Sequence, residues 1–547
     1  MRALMTRRLP SIIVVALASV ALPLAIAAAP TPAPSSSNLA LPSPTPNARA
    51  TATPSPTPTP VTNVLPPPSP SEPDTTTIGK IGSLERAGAG PLKATDHHPQ
   101  RATSPSQLAN YLKDSDPAIQ ARAAIAIGRL RYSSGVGPLV QVLQSQTASD
   151  DVKADAAFAL GVIHSPDAEG PLEGAALHGS SAVAGAAADA LGRIGGDSVI
   201  DTLDRLVKSR DPYVRGMAAI GIGEATTPLA PPRTIDTAYR INAGVAVATA
   251  MTYERDPEAK WREAWAIGRS LYDVDQQSLR TMIADPSELV RQYAAQGMRR
   301  LKDQKYALAL HLAVNDPSWR VRVEVARALA VFRDNTRVDL TPPTIPASDQ
   351  QMPQALPTSA PYGPHPQVAI VTSKGIIVVE MFPDEAPYNV DNFLYLVDRG
   401  YYNNQQLFRV IQNFVIQGGD PTNGGNDGGP GYSVPAELNP LQQLTGVLAL
   451  GLDYPDNIHA DVDSGGSQFY ITESPQLHLD INFTTMGRVV KGMAVVDAIR
   501  VHDAESAADR AKPADIVKRM FRCQPVTPQT PDIEHLLRTG EIGYNAQ

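Results

Sequence analysis

One stretch near the C-terminal end, Phe408-Arg409-Val410-Ile411-Gln412-Asn413-Phe414-Val415-Ile416-Gln417-Gly418-Gly419-Asp420, sets a cation, rings and amides at alternating positions. In an extended chain Val415 and Gln417 share one face. A second stretch, Gly466-Ser467-Gln468-Phe469-Tyr470-Ile471, puts Gln468 and Tyr470 together in the same way. Two apolar groups and two amides can therefore point together, and Arg409 in the first stretch carries a guanidinium that keeps its proton near neutral pH. Such a group can hold and orient a ligand without attacking it. Taken singly, each of these residues reads as strand core or strand surface.

Other chemistries find little material. Cys523 is the single cysteine, which excludes a disulfide framework and any multi-cysteine metal site, and it reads as a small core residue. The glycine-rich run Gly418 to Gly431 has no Walker lysine and opens no helix, so nucleotide binding is not expected. The loop Asp453 to Gly465, with Asp461, Asp463 and Ser464, faintly resembles a calcium loop, but Thr472 stands where the closing Glu belongs. His97-His98 reads as an incidental polar pair. No metal and no cofactor is expected. A formal net charge of −8 over 547 residues gives no general attraction to nucleic acid.

The elements that would carry the pair of stretches have strand periodicity. Eight strands are predicted at 368–372, 376–382, 407–411, 414–418, 447–451, 468–472, 484–490 and 515–522. One helix follows Ala386-Pro387 and carries Val390, Phe393, Leu394 and Val397; a second runs from Met493 to about Arg500. Eight strands and two helices fit a closed antiparallel barrel.

Upstream the period is helical. Between 104 and 335, Ala-rich helices recur with a glycine about every 30 residues: Gly128, Gly161, Gly192, Gly223, Gly268 and Gly297. Asp116-Pro117, Asp211-Pro212, Asp256-Pro257, Asp285-Pro286 and Asp316-Pro317 supply caps and first turns. This resembles a HEAT-like α-solenoid, whose concave surface suits an unidentified protein partner. Trp261 and Trp265, four apart, read as core. The insert Thr226 to Thr234 is expected to be a loop or an irregular repeat.

The remainder is connective. Residues 30–103 and 336–366 are proline-rich and are expected to be a disordered spacer and a flexible joint, leaving the two folded units to move independently. Residues 524–547 form a tail. Arg2, Arg7 and Arg8 ahead of an apolar run from Ile12 to about Ala29 read as a signal peptide over 1–29, with an uncleaved membrane anchor as the alternative. The chain is accordingly expected to be extracytoplasmic, periplasmic or secreted, and to meet a membrane only through that leader.

Over 367–523 the motifs resemble cyclophilin-type peptidyl-prolyl cis/trans isomerases. Ala386-Pro387, Val390-Asp391-Asn392-Phe393, Gly400-Tyr401-Tyr402, the block 408–420, Gly428-Gly429-Pro430-Gly431-Tyr432 and 466–471 occur in the family's order. The resemblance implies that Arg409 is the catalytic arginine, oriented by Gln417. It implies substrate contacts from Phe408, Phe414, Val415, Gly451, Leu452, Gln468, Tyr470, His478, Leu479 and Phe483. This sequence departs from the family where Phe408, Leu452, His478 and Phe483 replace commoner residues. The fold expected is multidomain, an all-α HEAT-like solenoid followed by an eight-stranded antiparallel β-barrel with two helices.

The function expected is an exported isomerase of Xaa-Pro bonds in polypeptide clients, with the solenoid binding protein. The alternatives weighed are a non-catalytic scaffold that only holds proline-containing peptides, and an adhesive envelope protein.

Overall fold

The structure is a computed structural model and describes residues 65–70, 76–86, 105–226, 235–269, 276–424, 429–453, 460–503 and 507–526. The leader, His97-His98, nearly all of the 226–234 insert, part of the 453–465 loop and most of the tail lie outside these residues.

Seven helices stack side by side: Pro117–Arg129, Asp150–Ile163, Ser181–Ile194, Pro212–Thr226, Pro257–Arg269, Glu288–Leu301 and Trp319–Val331. Between them run the helices of a second row, such as Val136–Leu143, Glu169–His178 and Asp197–Leu206. Asp116, Asp211 and Asp256 start their helices as the Asp-Pro pattern demands, each accepting the backbone N–H two residues on. At Asp285 and Asp316 the helix begins after the following serine instead, and the carboxylate accepts from Ser287 and Ser318. Trp261 and Trp265 are core, 2% and 3% exposed.

The recurring glycines mark where neighbouring helices of the row touch. A Cβ on Gly128 would stand 2.7 Å from the Ala159 Cα, on Gly161 3.0 Å from the Ala190 Cα, and on Gly192 2.3 Å from the Gly221 Cα. Only hydrogen fits such a crossing. Gly192→Ala is therefore expected to destabilise the helical region by about 1–3 kcal/mol or more through overpacking. The check is a lowered midpoint in thermal unfolding followed by far-UV circular dichroism.

Beyond the helices lies one curled antiparallel sheet of ten strands, in the order β3-β10-β1-β2-β8-β6-β7-β5-β4-β9. The strands are β1 Gln367–Thr372, β2 Ile376–Met381, β3 Gln405–Gln406, β4 Arg409–Ile411, β5 Val415–Gly418, β6 Val447–Leu450, β7 Phe469–Thr472, β8 Thr485–Lys491, β9 His502–Asp503 and β10 Ile516–Cys523. The expected count of eight is short by two because β3 and β9, two residues each, carry no periodicity; they form the ends of the sheet, which hydrogen bonding leaves open. Helices Pro387–Asp398 and Met493–Asp497 pack with it, and a short third helix, Ala507–Arg510, follows β9.

The two faces of the sheet belong to different cores. Ile416, Leu448 and Ile471 point into a core with Val368, Ile370 and Val379. Val415, Ala449 and Tyr470, on the alternate face of the same strands, join one continuous hydrophobic cluster with the solenoid residues.

The expected spacers are partly built. Within 30–103, Thr77–Arg86 is a helix whose Ile81 is fully buried and whose Glu85 pairs with Arg122 at 2.6 Å and Arg129 at 3.0 Å. Leu65 donates its N–H to the Pro430 carbonyl at 3.1 Å, and the Tyr395 hydroxyl donates to the Pro66 carbonyl at 2.8 Å. Within 336–366 the chain is strapped to β10: Leu356 donates to the Arg522 carbonyl at 2.8 Å, and the buried Arg522 guanidinium donates to the carbonyls of Pro357, Thr358 and Ala360. Proline removes N–H donors but leaves carbonyls, and a guanidinium fork with several donors gathers them.

The solenoid and the sheet are not a loose pair either. Arg320 reaches both Asp497 oxygens at 2.8 Å and the Glu473 carbonyl at 2.9 Å. The Asn413 amide donates to Glu324 at 3.0 Å, and Tyr293 and Arg327 meet the carbonyls of Pro475 and Gln412. The expected independent movement gives way to an interface of buried, bonded polar groups.

Candidate active site

Strands β4, β5 and β7 carry the site. Antiparallel register sets Arg409 opposite Gln417 and Gln417 opposite Tyr470. The turn between β4 and β5 is tight enough to hold Asn413 at φ +53°, a left-handed conformation that asparagine tolerates. Its N–H donates to the Glu473 carboxylate. Burial first, and then the charge of Asp497, pushes the Glu473 carboxyl well above the usual carboxylate range.

The polar side of the site is a short relay. The Arg409 Nη1 donates to Gln417 Oε1 at 3.4 Å, and Gln417 Nε2 donates to Gln468 Oε1 at 3.0 Å. All three residues are half-buried. The guanidinium carbon of Arg409 stands 5.7 Å from the Phe414 ring centre, within cation–π range. Gly451 lies against Gln468, accepting no side chain: a Cβ there would meet the Gln468 Cβ at 2.9 Å, and the Gly451 N–H donates to the Gln468 carbonyl at 2.8 Å.

The apolar side is a nest of rings. Phe414 stacks on His478 at 5.9 Å and 14°, and Tyr470 meets Phe483 edge-on at 5.6 Å and 85°. Val415 and Leu479 belong to the same cluster. Phe414 is 8% exposed, Tyr470 and Phe483 5%, Leu479 3% and Val415 2%, so these walls are largely covered while the polar relay stays open. Burial, with Arg269 and Arg300 of the solenoid next, holds the His478 ring down to about 3. It is a neutral wall at ordinary pH.

Of the twelve positions expected from sequence, ten gather here. Leu452 is partly buried beside the ring cluster. Phe408 is buried just ahead of β4, outside the cluster that holds the other rings. Sequence reading missed Gln443. It is fully buried, accepts the Tyr470 hydroxyl at 3.2 Å, donates to Thr485 Oγ1 at 3.0 Å, and takes the Asp480 carboxylate on its backbone N–H at 2.7 Å. It sits in an irregular loop, where no periodicity could have flagged it.

Among the described residues no group of three or more His, Cys, Asp or Glu is placed to hold a metal ion. Nor is any described helix long and apolar enough to cross a membrane. What the arrangement can do is seat an apolar ring against other rings while a fixed cation and two amides address the attached backbone.

The family described as cyclophilin type peptidyl-prolyl cis-trans isomerase/CLD matches residues 367–520, and HEAT repeats match 138–223 and 276–340. The chain is 38% identical over 155 residues to the human peptidyl-prolyl cis-trans isomerase-like 1, covering 28% of this chain and 89% of that protein. It is 39% identical over 139 residues to a peptidyl-prolyl cis-trans isomerase of Synechococcus elongatus, covering 25% of this chain and 90% of that protein. A crystal structure of a cyclophilin type peptidyl-prolyl cis-trans isomerase from Cryptosporidium parvum is similar at 26% identity and a TM-score of 0.26, covering 29% of this chain and 99% of that one.

Proposed function

Because the chain belongs to the cyclophilin-type peptidyl-prolyl cis-trans isomerases, we propose that Arg409, oriented by Gln417, is the donor that speeds Xaa-Pro rotation in exported polypeptide clients. Amide resonance sets the rotational barrier at about 18–20 kcal/mol, and uncatalysed exchange takes about tens of seconds or longer. No bond breaks. The site needs only to bind the twisted amide better than either planar form.

Twisting returns the lone pair to the prolyl nitrogen, which becomes an acceptor. A guanidinium placed over the Phe414 ring can donate to it, and does so more strongly where water is thin. The observation that carries this reading is Arg409 held between Gln417 at 3.4 Å and the Phe414 ring centre at 5.7 Å. The prolyl ring seats among Phe414, Val415, Tyr470, Leu479 and Phe483. Gln468 and the backbone at Gly451 and Leu452 address the client chain, His478 backs Phe414, and Phe408 lies buried just ahead of β4. The test is acceleration of Ala-Pro isomerisation by the intact chain and its loss in Arg409→Ala.

The scaffold reading draws on one observation, the low exposure of the ring walls. A chain that binds an Ala-Pro peptide without accelerating its rotation would replace the enzymatic reading with that one.

Export rests on Arg2, Arg7 and Arg8 ahead of the apolar run from Ile12 to about Ala29. Fused to an alkaline phosphatase stripped of its own leader, residues 1–40 are expected to give an active, extracytoplasmic reporter. An inactive, cytoplasmic fusion would end the export proposal. The solenoid's role follows from its contacts: its stacked helices hold the sheet's ring-bearing face, so it positions the site as well as offering a surface to clients.

A further inference from the structure

The sheet's other core carries a second set of rings. On the helix Pro387–Asp398, Tyr388 and Tyr395 stand two turns apart and so share a side, with Asn392 between them. The Tyr432 hydroxyl donates to Asn392 Oδ1 at 2.6 Å. Burial first, and then the neighbouring Tyr395, Tyr388 and Tyr401, pushes the Tyr432 hydroxyl above its ordinary range, so the four tyrosines are neighbours. All four are half-buried and pack against the core that holds Val390, Phe393 and Ile416. Arg409 stands over Phe414, which belongs to the opposite cluster, so this is a separate place.

A piece of the chain's own spacer lies on these tyrosines. Leu65-Pro66-Pro67-Pro68-Ser69-Pro70 forms neither helix nor strand. Each proline fixes its own φ and drives the residue before it to extended angles, so the segment is set in polyproline II form before it meets anything. The Tyr395 hydroxyl donates to the Pro66 carbonyl at 2.8 Å, and the Leu65 N–H donates at 3.1 Å to the carbonyl of Pro430, in the loop that carries Tyr432. Leu65 packs against the same core as the tyrosines, and Pro68 is buried. Further along, the Arg86 guanidinium carbon stands 5.0 Å from the Tyr388 ring centre, so the chain returns to this face.

The two surfaces match in chemistry. Proline removes N–H donors and leaves carbonyls that accept, while tyrosine offers a hydroxyl donor at the tip of a flat apolar ring. A segment already extended loses little freedom on docking, which is why proline-rich chains are held on aromatic surfaces. Here the hydroxyl addresses a carbonyl and not a prolyl nitrogen, so the face holds the segment without turning it.

We infer that the tyrosine face of Pro387–Asp398 is a second, non-catalytic site for proline-rich extended segments, and that its occupant is the chain's own residues 65–70. The spacer is thereby pinned to the sheet on the face opposite the isomerase rings.

Two measurements on the full chain test this. Hydrogen exchange read by mass spectrometry is expected to show the Leu65 amide exchanging about ten-fold or more slowly than in a free peptide of residues 63–72, with Tyr395→Phe removing most of that protection. In the second, Pro66→Gly, Pro67→Gly and Pro68→Gly together vacate the face, and the same peptide, fluorescein-labelled, is added in trans. Anisotropy is expected to show it binding the vacated chain about ten-fold or more tightly than the parent, whose own segment competes at an effective concentration on the order of millimolar. Tyr395→Phe in the vacated chain weakens binding about 2–10-fold, the worth of one hydrogen bond. An excess of unlabelled Ala-Pro peptide, which fills the isomerase site, leaves the signal unchanged. Free-peptide exchange at Leu65, equal binding by parent and vacated chains, or displacement by the Ala-Pro peptide overturns the inference. Protection that falls away on dilution assigns the segment to a second copy of the chain and overturns the occupant named here. The isomerase reading rests on Arg409 and is untouched by any of these results.

Discussion

Replacing Arg409 by alanine lowers kcat/KM for an Ala-Pro peptide by about 10²–10³-fold, the range typical for deleting one preorganised donor to developing charge. That corresponds to about 3–4 kcal/mol of transition-state stabilisation. The loss falls on turnover because planar cis and trans amides have no lone pair on nitrogen for the guanidinium to address. Peptide affinity, set by the rings of Phe414, Tyr470 and Phe483, changes much less. Arg409→Lys restores only part of the rate, since an ammonium cannot bond Gln417 and reach the prolyl nitrogen with the same fork. The rate is read by exchange NMR on the peptide, which needs no coupling protease, and the far-UV spectrum of the variant is expected to match the parent because Arg409 is half-buried and its strand pairs through backbone. Equal rates for parent and variant would place the donor elsewhere.

The parts of this site that were legible in sequence are those whose neighbours are close along the chain or fixed by strand alternation. Val415 and Gln417, and Gln468 and Tyr470, share faces because the pleat has period two, and the register of β5 with β7 then brings the pairs together. The solenoid was legible for the same reason: a glycine about every 30 residues is what a row of close helix crossings requires, and Gly192 against Gly221 is such a crossing. What stayed hidden depends on groups far apart in the chain with no local pattern. Nothing in Arg320 or Glu324 announces that the partners are Asp497 and Asn413. The 336–366 stretch is tied down where a loose joint is expected, because composition reports the lack of N–H donors but not the presence of Arg522, whose guanidinium ties three of its carbonyls. The solenoid that sequence assigns to an unnamed partner also shares a hydrophobic cluster with the chain's own sheet.

That self-contact sets the second large effect. Arg129→Ala is expected to destabilise the intact chain by about 3–5 kcal/mol, the cost of breaking one side of a buried ion pair. Arg129 is 4% exposed and ties three segments at once: Glu85 at 3.0 Å, the Leu438 carbonyl at 2.6 Å and the Glu385 carbonyl at 3.0 Å. Burial alone would raise the Glu85 carboxyl, but Arg122 and Arg129 together outweigh it and hold it down to about 2, against an ordinary 4.5. A carboxyl whose folded pKa is depressed lends stability that is complete above about 4.5 and is lost as pH falls toward 2. Without Arg129 the folded pKa of Glu85 climbs, so the variant is weakened most at neutral pH and the gap between parent and variant narrows as pH falls from about 4.5 toward 2, the window in which the unfolded carboxyl is already protonated and the parent's folded one is last to follow. Urea unfolding at pH 7 and pH 3.5 reads both effects. Arg129→Met combined with Glu85→Gln should recover only part of the loss: it removes the under-compensated carboxylate, but Arg122 loses its partner at 2.6 Å and the Leu438 and Glu385 carbonyls lose their donor. An Arg129→Ala midpoint equal to the parent's at pH 7 would mean that the guanidinium contributes nothing to holding solenoid and sheet together, and that the contact rests on its apolar cluster alone.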